Sequence, residues 1–218
     1  MLVPGTLRRC HIIDQHICLT VCGLISDGRV LVKKAREECE EYEATYGGKI
    51  PGKVLVERLA SFVHMYTLQW FVRPFGCAAL VGCWNPQVGG SKEVPEVWLV
   101  EPSGVSYRYY GVAYGKGKQA AKTELERLAD PRGNGKVGVD EGMKEMIKVF
   151  LGGRDESKDK EMEIEMIVIS EESGRMAKPV GKQVVEEVTG EVKKKMEEDE
   201  DEEEGEDEDG GGGAMEQS

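Results

Sequence analysis

One short stretch of this chain combines residue types that could bind a phosphate group. Residues 115–118 read Gly-Lys-Gly-Lys and stand directly before a segment with strong helix propensity. Free backbone N–H groups at the start of a helix, with a lysine beside them, are typical of anion sites. A P-loop, however, needs four residues between its glycines and Lys-Ser or Lys-Thr after the second. Here three residues separate Gly111 from Gly115, and Gly117 follows Lys116. This spacing favours a close-packed turn between a strand and a helix.

A second group of residues that could bind a metal or act in catalysis lies near the start of the chain. Its members are Cys10, His11, His16, Cys18 and Cys22. Their spacings match no zinc template, and side chains that alternate along a strand would point several of them apart. All 6 cysteines lie in apolar stretches without a C-x-x-C pair, so we expect buried thiols in a reducing compartment. We therefore predict no metal, no cofactor and no catalytic residue here, and His64, on an apolar helix, is predicted to be packed.

The chain is organised around the stretch 94–128, which contains the Gly-Lys-Gly-Lys residues. Pro102, Ser103 and Gly104 form a turn signal, because a fixed φ is followed by a residue that tolerates φ > 0. Apolar and aromatic residues on both sides predict a hairpin, and residues 119–126 predict a helix. The expected order is strand, turn, strand, glycine-rich turn, helix.

Apolar periodicity predicts the other elements of the N-terminal half. A hairpin is expected over residues 9–25, and residues 75–84 predict a strand that is buried on both faces. Between them lie two amphipathic helices, the first capped by Asp27 and the second beginning after Pro51. Their expected inward residues are Leu31, Ala35, Cys39, Tyr42 and Tyr46 in the first, and Leu55, Leu59, Phe62, Tyr66 and Trp70 in the second.

The C-terminal half predicts two further helices with a strand between them. The first is capped by Asp140, and the strand covers residues 162–168, where apolar and acidic residues alternate. The second helix follows Pro179. The expected inward residues of the two helices are Met143, Met146, Ile147 and Phe150, then Val180, Val184, Val188 and Val192. This order of helices and strands favours an α+β layered sandwich over a βαβ fold.

The negative charge of the chain is concentrated at its end. The net charge of -12 arises because residues 197–209 contain 12 acids, whereas residues 1–196 contain 28 acids against 29 lysines and arginines. A nearly neutral domain lacks the basic surplus of a nucleic-acid-binding protein, and no apolar run reaches the roughly 20 residues of a membrane span. We predict a domain over residues 1–196 and a disordered acidic and Gly-rich tail over residues 197–218.

Several motifs resemble one known family. Residues 101–107, followed by residues 115–124, are similar to the central hairpin and third helix of eukaryotic 20S proteasome alpha subunits. Residues 64–67 and 72–77 are similar to the same family's second helix and next strand. The similarity extends from about Arg9 to Arg175, and residues 155–160 are most like the type 3 group.

This resemblance implies a fold and a missing part. Alpha subunits have the four-layer αββα sandwich of the N-terminal-nucleophile hydrolases. They begin with a gating tail, an outer helix and two strands, none of which precedes Met1. We therefore expect an N-terminally truncated form of that fold, produced either by a gene model that starts at an internal Met or by a true truncation.

The resemblance also implies a function without catalysis. In the catalytic beta relatives a mature N-terminal threonine is the nucleophile, and the turn that corresponds to residues 115–117 carries Gly-Ser-Gly. Here Lys116 stands at the serine position and residue 1 is Met. The implied role is structural, in the outer alpha ring of the 20S proteasome, in the cytoplasm and nucleus. Implied partners are neighbouring alpha subunits, beta subunits and the regulatory-particle ATPases, in ubiquitin-dependent protein degradation.

One candidate binding residue follows from the same resemblance. Pockets between neighbouring alpha subunits accept the C-terminal carboxylates of regulatory ATPases, often through an early lysine, and Arg9 stands at that position. Arginine keeps the charge but changes the geometry, and an exposed arginine at a strand end is the alternative. The family's first two helices, here residues 29–46 and 53–71, lie partly toward the beta ring.

Two other classes of function remain open from the sequence. An N-terminal-nucleophile enzyme would need a processed Thr, Ser or Cys at residue 1. An acidic-tailed chaperone or interaction protein for basic partners would depend on residues 197–209 alone.

Overall fold

An antiparallel sheet of five strands forms the centre of the computed structural model, which describes residues 6–85, 94–128, 138–153 and 163–209. The strands follow one another in the order β1-β2-β3-β4-β5, and β6 and β7 form a separate two-stranded sheet. Their bounds are β1 Cys10–Asp14, β2 Ile17–Gly23, β3 Cys77–Trp84, β4 Pro95–Val100, β5 Ser106–Tyr109, β6 Ile167–Val168 and β7 Lys178–Pro179. The helices are α1 Ile25–Tyr46, α2 Gly52–Leu68, α3 Lys118–Leu128, α4 Val139–Gly152 and α5 Lys182–Asp209.

Both predicted hairpins are present. In the first, β1 pairs with β2 and the register shifts between Ile12 and Asp14. In the second, the Gly104 N–H donates to the Glu101 carbonyl and the Glu101 N–H donates to the Val105 carbonyl, both at 2.9 Å. Gly104 has φ 84°, as the turn chemistry of the sequence predicted.

The main core lies between this sheet and the helices α1 and α2. Along β2, buried Ile17, Leu19 and Val21 alternate with half-buried Cys18 and Thr20, because successive side chains of a strand point to opposite faces. Five of the ten predicted inward residues are buried: Leu31, Ala35 and Cys39 on α1, and Leu55 and Leu59 on α2. Tyr42, Phe62 and Tyr66 are partly buried against this core, whereas Tyr46 is 66% exposed. The sequence therefore places the N-terminal and central parts of both apolar faces correctly, but the predicted C-terminal members, Tyr46 and Trp70, are exposed.

The ends of α1 and α2 differ from the predictions. The helix α1 begins at Ile25, so Asp27 lies in its first turn and is not the N-cap. The helix ends as predicted at Gly47, which has φ 70° and donates its N–H to the Glu43 carbonyl at 2.8 Å. The helix α2 ends at Leu68, so Trp70 lies beyond it and is 94% exposed, whereas the apolar periodicity predicts it on the buried face.

The inward faces of α4 and α5 are rotated relative to the predictions. Asp140 lies in the first turn of α4, which Gly138 caps, and Met146 and Phe150 are half exposed. The buried residues that join the two helices are Ile147, Leu151 and Val192. In α5 the buried valine of the first turn is Val185 and not Val184. In α5 the predicted valines are spaced four residues apart, and that spacing drifts by about 40° per step around a helix of 3.6 residues per turn, which explains why Val185 is buried in place of Val184.

The C-terminal strand and tail also differ from expectation. The strand predicted over residues 162–168 is reduced to the two residues of β6, and residue 162 lies outside the described ranges. The helix α5 continues through the acidic segment to Asp209, where the composition predicted disorder, and residues 210–218 are not among those described. The division into a domain and a tail at residue 196 stays a prediction.

Helices and antiparallel sheets together confirm the α+β class. Within the described ranges the second sheet consists of β6 and β7 alone. A hydrogen bond joins the ends of the two sheets: the N–H of Ala177, just before β7, donates to the carbonyl of Gln15, between β1 and β2, at 2.7 Å. Among the described residues, no helix is long and apolar enough to cross a membrane.

Candidate functional site

The glycine-rich turn between β5 and α3 is closely packed. Gly115 has φ 119° and Gly117 has φ 75°, both in the region that favours glycine. A Cβ atom on Gly117 would lie 2.0 Å from the Gly153 carbonyl oxygen, at the end of α4. The Gly117 carbonyl accepts from the Ala121 N–H at 3.2 Å, so it already serves the first turn of α3. The expected close-packed turn is confirmed, and Lys116 lies within it.

Arg9 lies at the exposed start of the first hairpin. Its Nη1 donates to the Gly23 carbonyl at 3.1 Å and to the Val21 carbonyl at 3.4 Å, so the guanidinium folds back onto the end of β2. Its backbone N–H donates to Glu165 Oε2 at 2.8 Å, and the Cys10 N–H donates to the same oxygen at 3.0 Å. Glu165 therefore connects this edge of the sheet to the segment that precedes β6.

The cysteines and histidines near the N-terminus do not converge on a common point. Cys39, Cys77 and Cys83 are buried as expected, whereas Cys10, Cys18 and Cys22 are half-buried. Burial raises the pKa of Cys18 and Cys77 to about 11 and that of Cys39 and Cys83 to about 12, so these thiols stay protonated at neutral pH. Within the described ranges, no group of three or more His, Cys, Asp or Glu side chains is arranged to hold a metal ion.

Two of the three histidines of the chain, His16 and His64, have structural hydrogen bonds. His16 is buried, and its Nε2 lies 2.9 Å from the Ile50 carbonyl; since a carbonyl only accepts, Nε2 carries the proton. His64 was predicted to be packed, but its side chain is exposed. Its Nδ1 lies 3.1 Å from the Ser103 carbonyl, and a Cβ on Gly104 would lie 2.5 Å from the His64 Cβ. His64 therefore joins α2 to the turn of the second hairpin.

A buried carboxylate that sequence reasoning treated only as a helix cap organises the start of β3. Asp27 accepts from both terminal nitrogens of Arg73, at 2.6 and 2.8 Å, and from the Gly76 N–H at 2.8 Å. The hydrogen bonds from Arg73 lower the pKa of Asp27 to about 2. We call Asp27, Arg73 and Gly76 the brace, because it connects α1 to the segment between α2 and β3.

A second charged group connects α1 to α2. Glu38 is buried and accepts from Arg58 at 2.7 Å and from Lys34 at 2.6 Å. Burial acts to raise its pKa, but the hydrogen bonds from the two cations outweigh it, so the pKa of Glu38 is lowered. No local sequence signal marks this pair, since Glu38 and Arg58 meet only when the two helices pack.

Comparison of the sequence with known families shows where this chain belongs. A model of the proteasome subunit family matches residues 1–169. The chain belongs to the proteasome subunit family. This proteasome-family chain is 43% identical over 198 residues to proteasome subunit alpha type-3 of Arabidopsis thaliana, a match that covers 91% of the chain and 76% of the plant subunit.

Other relatives of this proteasome-family chain are also alpha subunits. Proteasome subunit alpha type-3 of Acanthamoeba castellanii is 43% identical over 198 residues, with 91% of this chain and 75% of that subunit covered. A probable proteasome subunit alpha type-7 of Schizosaccharomyces pombe is 34% identical over 187 residues, with 86% and 70% covered. The resemblance to alpha subunits, and to their type 3 group, is confirmed.

Proposed function

We propose that this chain is a non-catalytic structural subunit of the outer alpha ring of the 20S proteasome. The observation that carries the proposal is the 43% identity, over 91% of the chain, to a subunit named alpha type-3. Lys116 supports it, because this residue lies in the turn where the resemblance places a serine in catalytic relatives. The tight contact between Gly117 and the end of α4 also gives this turn a structural use.

We further propose that the chain has the four-layer αββα architecture. The helices α1 and α2 and the five-stranded sheet would be two of the layers, and the sheet of β6 and β7 with α3 to α5 would be the others. The bonds of Glu165 to the Arg9 and Cys10 N–H groups support this, since they hold the segment before β6 against the first sheet.

The proposed partners are neighbouring alpha subunits, beta subunits and the regulatory-particle ATPases, in the cytoplasm and nucleus. The test is to tag the chain in cells, fractionate native extract by size and identify the proteins that co-purify with it. We expect the tagged chain to elute with assembled particles and their other alpha and beta subunits. Elution as a free protein, without them, would contradict the proposal and favour the acidic-tailed interaction protein.

The proposed lack of catalysis has its own test. Particles that contain the chain are treated with an epoxyketone inhibitor, which reacts covalently with catalytic N-terminal threonines, and the labelled subunits are identified. Labelled beta subunits in the same sample are the internal control. We expect no label on this chain, and label on it would show that the chain is an enzyme.

We also propose that Arg9 forms part of a pocket for the C-terminal carboxylate of an activator. Replacing the guanidinium by an amide in Arg9→Gln should weaken activator binding, whereas Arg8→Gln, which removes a neighbouring exposed charge, should not. Because Arg9 also donates to the Val21 and Gly23 carbonyls, the thermal midpoint is measured for both variants. Equal activator binding by Arg9→Gln and wild type would leave Arg9 as a strand-end residue only.

A further inference from the structure

A cavity of about 400 Å³ lies between β1 and α1, and we call it the cationic cavity. Its volume is within the range of roughly 300 to 1,000 Å³ that is typical of small-molecule sites. Arg9, which we propose for an activator carboxylate, is not among the described residues that line this cavity. The charged and titratable residues that line it are His11 of β1 and, on α1, Arg29, Lys33, Arg36, Glu37 and Glu40.

Three cations lie on one side of α1 at this cavity. Arg29, Lys33 and Arg36 are spaced four and three residues apart, so they follow one another along the same face of the helix. At a rise of about 1.5 Å per residue, they extend over about 10 Å of the helix axis. All three side chains are exposed and accessible to a ligand. The cavity therefore presents three positive charges within the length of one small molecule.

Contacts with the strand hold part of this arrangement in place. The Nη2 of Arg36 donates to the Ile12 carbonyl of β1 at 2.9 Å, and a guanidinium has further N–H donors that can bind a ligand. A side chain that is already fixed loses less conformational entropy on binding than a free one. Lys33 forms an exposed ion pair with Glu37 at 3.7 Å, and pairs of this kind are weak, so Lys33 can turn toward a ligand at little cost.

The environment of His11 shows the positive potential inside the cavity. Burial lowers the pKa of the His11 imidazole from its ordinary value, and the charges of Arg36 and Arg29 lower it further. Glu165 and a backbone hydrogen bond with Arg8 act in the opposite direction but do not outweigh these effects. An anion bound between the two arginines and the ring would stabilise the protonated imidazole.

The two acids at the cavity limit the shape of its ligand. Glu37 and Glu40 follow Arg36 toward the C-terminal end of α1. A long anion that ran along the helix, such as an acidic peptide or a nucleic-acid strand, would meet their negative charges. The whole chain has a net charge of -12, so its overall field repels anions and any binding must depend on local contacts. These charges favour a compact ligand.

We propose that the cationic cavity binds a compact anion with several charges, of the oligophosphate class, through Arg29, Lys33 and Arg36. Arginine and lysine bind phosphate oxygens through charge-assisted hydrogen bonds, and the planar guanidinium can do so in a bidentate geometry. Protonated His11 would add a further donor. The inference goes beyond the proposed function and does not depend on it, since it concerns binding by this chain itself.

The test is binding of inorganic tripolyphosphate to the full chain, measured by isothermal titration calorimetry at physiological salt. We expect one saturable site per chain. A hexaglutamate peptide and a short single-stranded DNA are compared under the same conditions, and both should bind more weakly. No saturable binding up to about 1 mM tripolyphosphate, or tighter binding of either long anion, would overturn the proposal.

The variant Arg29→Gln locates the site. Arg36 is left unchanged, because its bond to the Ile12 carbonyl also supports the fold. We expect Arg29→Gln to bind tripolyphosphate at least about tenfold more weakly, as for the loss of a charge-assisted hydrogen bond. Arg127→Gln, which removes an exposed arginine of α3, is the matched control and should bind like wild type. Far-UV circular dichroism checks that both variants are folded, and equal binding by the two folded variants would contradict the proposal.

A second readout distinguishes binding in the cavity from binding elsewhere. NMR titration follows the imidazole signals of His11 with and without tripolyphosphate, and the ligand should raise the pKa of His11, because an anion favours the protonated ring. The signals of His16 and His64, which are not among the described residues of the cavity, are controls for a general effect of ionic strength. Tripolyphosphate that binds without raising the pKa of His11 would overturn the placement.

Discussion

At the scale of residues, Asp27 lies near the start of α1 as predicted, but it does not cap the helix. An aspartate near the start of a helix usually caps it or interacts with its dipole. Here its carboxylate accepts instead from Arg73 and from the Gly76 N–H. The acid is therefore part of a long-range contact, and its protonation is coupled to the position of the segment before β3.

We predict that Asp27→Asn destabilises the fold and removes part of its acid sensitivity. The folded pKa of about 2 is below the ordinary value of about 3.9. A lowered pKa contributes stability that is present above the unfolded pKa and is lost as pH falls toward 2. Because Arg73 is largely exposed, we expect a loss of about 1 to 2 kcal/mol near pH 7.

The measurement is urea unfolding of both proteins between pH 7 and pH 2. The difference in unfolding free energy should narrow below about pH 4. Glu126→Gln, which removes an exposed ion pair with Lys122, is the matched control and should differ little from wild type. A difference between wild type and Asp27→Asn that stays constant with pH would contradict this account.

A second prediction at this scale concerns Gly117. Gly117→Ala combines a positive φ with a Cβ placed 2.0 Å from the Gly153 carbonyl, so we expect a loss of more than about 1 to 2 kcal/mol in unfolding free energy. Gly190→Ala is the control, since its Cβ would meet nothing within 4 Å and alanine favours the middle of α5 by about 1 kcal/mol. Thermal unfolding should therefore show opposite shifts, and equal shifts would contradict the packing argument.

At the scale of elements, α5 combines opposing tendencies. Glutamate is a good helix former and each added residue contributes a hydrogen bond, so a helix that starts at Lys182 can extend through the acidic segment to Asp209. Like charges spaced three and four residues apart oppose that extension. The balance between these effects should depend on pH and salt.

We predict that the acidic segment of α5 gains helix content when its carboxylates are protonated. The measurement is the far-UV circular dichroism of the whole chain minus that of a chain ending at Met196, at pH 7 and near pH 4. The helical difference signal should increase at the lower pH, where acids with an ordinary pKa of about 4.3 begin to lose charge, and with added salt at pH 7. A difference signal that changes with neither pH nor salt would contradict this prediction.

At the scale of the whole molecule, the excess of acidic residues and the buried clusters lie in different parts of the chain. Residues 1–196 are nearly neutral and contain the buried clusters, whereas residues 197–209 contain 12 acids. The described residues that pack between α1, α2 and the sheet all lie before residue 101. Its effect on partners should be electrostatic and limited by a Debye length of about 8 Å at physiological salt.

We predict that deleting residues 197–218 leaves incorporation into particles intact and weakens only salt-sensitive binding to basic partners. The measurement compares particle incorporation and the salt dependence of binding to polylysine for the deleted and whole chains. Deleting residues 210–218, which contain a single acid, is the matched control and should preserve polylysine binding. If the chain without residues 197–218 were not incorporated into particles, the prediction would be wrong.

The sequence by itself determined most of the elements before residue 154 and the family of this protein. Turn chemistry at residues 102–104, the apolar pattern of residues 9–25 and the glycine at the end of α1 are local properties, and each predicted its element correctly. The glycine turn at residues 115–117 was also interpreted correctly, because its spacing excluded the P-loop template. Motif similarity then indicated alpha subunits, as the comparisons confirm.

Only the tertiary structure decided which residues meet. The pairs Asp27 with Arg73 and Glu38 with Arg58 join elements that are distant in the chain, so no local pattern could reveal them. The inward face of α4 depended on how this helix packs against α5, through Ile147, Leu151 and Val192. Trp70 continues the apolar periodicity of α2 in the sequence, which predicted a core residue. Because the helix ends at Leu68, Trp70 does not lie on its buried face, and its side chain is exposed.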